Sequence, residues 1–202
     1  MMEERVYFKS GDLTLEGLWS PSPGARGIVI AHPHPLMGGT MRDHVVVMLA
    51  SFFMRKNISI LRFNFRGVGR SEGFYDNGEG EVEDLRSAIR FLSEKGIEEI
   101  TVAGYSFGAL VALKGYPFDT KAGFTLLVSP PIEDRVPQLP RLNGRNGLIL
   151  CGDRDIFCPV DQLKRAAEES SWHIEIIEGA DHFYFGKEEA VLEAMERHFT
   201  VK

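Results

Sequence analysis

A chain of 202 residues, 44% hydrophobic and 26% charged, suits one globular domain, and its net charge of −6 argues against nucleic-acid binding. Two cysteines, Cys151 and Cys158, are too few for a disulfide scaffold, so free thiols in a reducing, cytoplasmic setting are expected. The charged start Met1-Met2-Glu3-Glu4-Arg5 has no signal-peptide core, and the longest apolar block, Val45 to Met54, is about half the roughly 20 residues of a membrane span.

In chain order, Arg5-Val6-Tyr7-Phe8 and Leu13 to Trp19 flank Ser10-Gly11-Asp12 and read as a β-hairpin, which Ser20-Pro21-Ser22-Pro23-Gly24 ends. Gly27 to Ala31 is apolar on both faces, as a central strand of a parallel sheet would be. The predicted order from there is helix about 41–56, strand 58–63, helix about 80–95, strand 99–103, helix 107–115 and strand 123–129. Strand 147–151, helix 160–170, strand 173–177 and helix 187–199 complete it. This alternation predicts a doubly wound α/β fold with a mostly parallel sheet flanked by helices, a single domain over residues 1–202. The helix near Gly80 puts Val82, Leu85, Ile89 and Leu92 on one stripe and leaves Glu81, Glu83, Arg86 and Arg90 for solvent. The last helix does the same with Val191, Leu192, Met195 and Phe199.

Several loops carry candidate chemistry. After strand 27–31 comes His32-Pro33-His34-Pro35-Leu36-Met37-Gly38-Gly39, in which the prolines have no N–H, so within that tight turn only His34 can donate from its backbone. His32 and His34 lack the companion ligands and the spacing of a helical zinc site, so no metal is expected and His32 reads as a structural hydrogen-bonding residue. Thr40 and Asp43 look like a helix cap, and His44 like a first-turn residue. Asn64-Phe65-Arg66-Gly67-Val68-Gly69-Arg70-Ser71 misses the G-x-G-x-x-G spacing, which argues against nucleotide binding; Arg66 and Arg70 are kept as outside candidates for an acidic substrate group. Finally, Gly104-Tyr105-Ser106-Phe107-Gly108 lies between a β-branched run and a helix-like run. The two glycines there allow close strand–helix approach around a strained serine.

That strand–serine–helix turn resembles the nucleophile elbow of the α/β-hydrolase superfamily, and the order of later residues strengthens the likeness. Strand 147–151 runs into Gly152-Asp153-Arg154-Asp155, followed by Pro159, and strand 173–177 leads to Gly179-Ala180-Asp181-His182. The resemblance implies Ser106 as nucleophile, Asp155 as the acid with Asp153 as runner-up, and His182 as the base, with Asp181 shaping its loop. It also implies backbone oxyanion donors at His34 and Phe107, and it carries no cofactor. The His-Pro-His-Pro-x-x-Gly-Gly loop is similar to that of small bacterial and archaeal hydrolases akin to the dienelactone-hydrolase and prolyl-peptidase catalytic domains. The dienelactone enzymes carry cysteine where Ser106 stands.

The segment where larger relatives insert a lid is here only Pro130 to Asn146, stiffened by Pro130, Pro131, Pro137 and Pro140. A minimal cap or none is expected, with an open cleft suited to small or protruding acyl groups. Ile132, Phe157, Phe183 and Tyr184 are the candidates for its pocket. The expected function is a serine hydrolase acting on a small-molecule carboxylic ester or thioester, with no nucleic-acid or membrane partner. A peptidase or amidase with the same triad, or a non-catalytic binding protein on this scaffold, are the alternatives. Nothing in the sequence sets the oligomeric state.

Overall fold

A computed structural model describes residues 3–118, 123–132 and 138–199. Met1 and Met2, and residues 133–137 of the Pro130–Asn146 connection, lie outside the described residues. Among the described residues, eight strands form one sheet in the order β1-β2-β4-β3-β5-β6-β7-β8. They are β1 (Glu4–Ser10), β2 (Leu13–Ser20), β3 (Arg26–Ala31), β4 (Ser59–Phe63), β5 (Glu99–Tyr105), β6 (Phe124–Val128), β7 (Asn146–Gly152) and β8 (His173–Ile177). The hairpin β1–β2 is antiparallel and joins β4 antiparallel; every later pairing is parallel. The helices are α1 (His44–Arg55), α2 (Glu79–Glu94), α3 (Phe107–Gly115), α4 (Val160–Ala167) and α5 (Glu188–His198).

Strand periodicity divides the core. Along β3, Val29 and Ala31 belong to a layer with Leu85, Leu113 and Leu163 of α2, α3 and α4, whereas Ile28 and Ile30 belong to one with Leu49 and Val191 of α1 and α5. Each buried valine, leucine or isoleucine among them contributes about 1.5–3 kcal/mol of transfer free energy, which is why the apolar runs specify a two-sided sheet. The chain leaves β3 for α1 on one face and leaves β5 for α3 on the other. That divergence opens a crevice beyond the carboxyl ends of the two adjacent strands, where open α/β sheets bind ligands.

Local chemistry moves some predicted boundaries. Helix α1 begins at His44 rather than near 41, because the Asp43 carboxylate accepts the Val45 N–H at 3.0 Å and caps it. Strand β6 stops at Val128 because Ser129 turns to φ 46°. Glu81, expected in solvent, is fully buried: its carboxylate turns back to accept the N–H groups of Asp76 at 2.9 Å and Gly78 at 2.7 Å, closing the N-terminus of α2. No helix among the described residues is long and apolar enough to cross a membrane.

Candidate active site

Ser106 occupies the turn between β5 and α3 at φ 53°, ψ −117°, a backbone conformation that L-residues avoid. Its N–H bonds the Val128 carbonyl at 2.9 Å and its carbonyl accepts from Ala109 and Leu110, so both ends of the residue are pinned. The flanking glycines are required by space. A Cβ on Gly104 would strike the Gly108 carbonyl, and one on Gly108 would strike the Ala31 carbonyl at the end of β3. The first N–H groups of α3, Phe107 among them, have no intrahelical acceptor and lie at the positive end of the helix dipole.

Asp155 follows β7 and His182 follows β8, and both side chains are almost fully buried. His182 Nε2 stands 2.9 Å from Ser106 Oγ, and its Nδ1 lies 3.0 and 2.9 Å from the two Asp155 oxygens. A carboxylate only accepts, so Nδ1 carries the proton and the Nε2 lone pair faces the serine hydroxyl. Burial pushes the Asp155 carboxyl up, but hydrogen bonds from His182 and Ser129, the charge of His182 and the Phe157 N–H outweigh it and hold the group below the ordinary carboxylate value. The N–H groups of Phe157 at 2.9 Å and Cys158 at 3.1 Å fix the carboxylate from its own turn. Asp153 instead accepts the Gly179 N–H at 2.7 Å, a bond that ties two loops together. Asp181 accepts the N–H groups of Phe183 and Tyr184 and shapes the histidine's loop. The phenol of Tyr105, kept neutral by burial, donates to the His182 carbonyl at 2.9 Å.

The loop after β3 is held by His32. This buried imidazole donates from Nδ1 to the Pro33 carbonyl at 2.6 Å and accepts the Phe65 N–H on Nε2 at 3.1 Å. Burial lowers its pKa to about 4, so it stays neutral, and both ring nitrogens are committed. In a trans peptide the C=O and N–H point opposite ways, so fixing the Pro33 carbonyl aims the His34 N–H away from His32. That N–H has no acceptor among the described residues. The His34 ring packs 4.9 Å from the Phe107 ring, and both residues line the same cavity as Ser106. The loop after β4 is equally tied down. Asn64 donates to Glu16 at 3.0 Å and accepts the Met41 N–H at 2.9 Å, a pairing that an aspartate could not make with Glu16.

A cavity of about 710 Å³ opens over Ser106 and His182, within the range of small-molecule sites. Phe157 and Phe183 line it as expected. Ile132 and Tyr184 do not. Ile132 is buried in the core under α2, α3 and α4, and Tyr184 is fully buried, with its hydroxyl 2.7 Å from Ser129 Oγ. Arg66 and Arg70 also lie away from the cavity: Arg66 clamps Asp84 through Nε at 3.0 Å and Nη2 at 2.8 Å, and Arg70 is at the surface beside Tyr7. The lining that sequence reasoning missed includes Met37, Tyr75, Leu110, Leu113 and Lys114. Three of these sit on α3 at i, i+3 and i+4, but that helix is apolar on nearly every side, so its sequence does not say which face meets a cavity. Cys151 and Cys158 are buried free thiols at the turn that carries Asp155.

The sheet order and the serine at its central strand–helix turn are those of an α/β hydrolase. No protein-family model matches the chain. An uncharacterised protein of Rickettsia prowazekii is 32% identical over 95% of this chain and 86% of its own length. An α/β serine hydrolase homologue from Coxiella burnetii superposes with a TM-score of 0.88 at 33% identity, covering 99% of both chains. A lidless α/β serine hydrolase from Xanthomonas campestris gives 0.84 at 25% identity, covering 98% of this chain and 93% of that one. The chain belongs to the α/β serine hydrolase family.

Proposed function

We propose that the protein is a serine esterase that cleaves carboxylic esters or thioesters through an acyl-enzyme. The observation that carries this reading is the unbroken hydrogen-bonded series from Asp155 through His182 to Ser106, with 2.9 Å between Nε2 and Oγ. In this reading His182 takes the Ser106 proton as Oγ attacks the ester carbonyl, and Asp155 stabilises the imidazolium that forms. The oxyanion is met by the N–H groups of His34 and Phe107, neither of which has another partner among the described residues. His182 then protonates the leaving alcohol or thiol, and a water molecule repeats the sequence on the acyl-enzyme. These steps use no cofactor. By its His-Pro-His-Pro-x-x-Gly-Gly loop we group the protein with the small lidless hydrolases akin to the dienelactone-hydrolase and prolyl-peptidase domains.

The test is the initial hydrolysis rate of p-nitrophenyl esters by the natural protein and by Ser106→Ala. The natural protein is expected to turn over the esters, and the variant to lose activity by as much as about a million-fold, as such units do. Equal rates would remove Ser106 from the mechanism.

A further inference from the structure

The cavity continues well past the reacting atoms. Helix α3 leads away from Ser106, and its Phe107, Leu110, Leu113 and Lys114 all line the cavity. From the Ser106 N-cap to Lys114 in the last turn, that stripe runs about 12 Å at ~1.5 Å per residue. An acetyl group would fill only its beginning. Pro131 and Pro140 also line the cavity, beside Gln138, so most of the lining along the stripe is apolar and takes a hydrocarbon stem.

The far end is different in chemistry. Lys114 is exposed, and its ammonium donates to the Asn77 carbonyl at 3.2 Å and to Glu79 Oε1 at 2.9 Å. An ammonium has three N–H bonds, so one remains for an occupant of the groove. Glu79 already balances the charge, and the Asn77 carbonyl oxygen adds negative potential beside it. A second carboxylate on the free N–H would lie beside Glu79 and be repelled by it, whereas a neutral hydroxyl or amide oxygen meets no such charge.

We infer that the acyl group of the substrate is an apolar chain reaching about 12 Å from its carbonyl to a neutral oxygen, hydroxyl or amide, that accepts a hydrogen bond from Lys114. The inference rests on the esterase reading and adds its substrate class. It extends the expectation of small or protruding acyl groups to a longer chain that would fill the groove as far as Lys114.

Paired p-nitrophenyl esters test it: unbranched acids of increasing length, each ending in methyl or in an ω-hydroxyl, given to the natural enzyme, Lys114→Met and Lys114→Arg. In the natural enzyme kcat/KM should rise with length, and the ω-hydroxy ester should be preferred about tenfold where the chain reaches Lys114, the scale of a charge-assisted hydrogen bond. Lys114→Met should abolish that preference and Lys114→Arg should retain it. Both variants keep a good helix former at an exposed position, so folding is not at issue. A ratio near one at every length, or a preference that survives in Lys114→Met, overturns the inference. If short esters are still hydrolysed in a Ser106-dependent way, the esterase reading stands without it; if no ester is hydrolysed, both fall.

Discussion

At the scale of the residue, Ser106 holds a φ of 53°, a strain of roughly 1–3 kcal/mol that the surrounding turn must absorb. Glycine adopts this conformation without penalty, so Ser106→Gly is expected to raise stability by about 1 kcal/mol over Ser106→Ala while both are inactive. Denaturant midpoints of the two variants check it, and equal midpoints would mean that the turn relaxes. That Ser106, Asp155 and His182 come together was legible because their residue types, chain order and positions after strands all agree. The pocket was not. Ile132 and Tyr184 are as apolar or aromatic as Phe157 and Phe183, and only tertiary packing decides which of them meets the cavity.

At the scale of the element, the loops at the carboxyl ends of the strands are rigid for reasons that single residues supply. His32 joins the loop after β3 to the one after β4, and its neutral form is required for the Phe65 N–H to bond. Burial lowers its folded pKa to about 4 from the ordinary histidine value of 6.5, so the unfolded chain binds the extra proton between those two values. Stability should therefore be full above about pH 6.5 and fall by roughly 3 kcal/mol as pH drops toward 4. Urea unfolding across that range should show the loss in the natural protein and a flatter profile in His32→Asn; parallel profiles would contradict the assignment. Element types were readable from periodicity, while their ends depended on caps. Asp43 set the start of α1 to within a few residues of expectation, and Glu81 was misplaced because a glutamate on a helix was read by its face rather than as a carboxylate turned back on the first turn.

At the scale of the whole molecule, the sheet brings together residues that are far apart in sequence. Ser106, Asp155 and His182 follow β5, β7 and β8, and His34 follows β3, so the carboxyl end of one sheet brings together the residues proposed as nucleophile, acid, base and backbone donor. The doubly wound pattern was legible in the alternation of apolar runs, because burial on both faces leaves a two-sided signature in every central strand. The length of the groove was hidden, since it depends on how α3 sits against the connection after β6. The measurement that tests the central claim most directly is intact-mass analysis after treatment with a fluorophosphonate, followed by peptide mapping. The account predicts one adduct per chain, on Ser106, and none on Ser106→Ala. An unlabelled natural protein, or a label that persists in the variant, would contradict it.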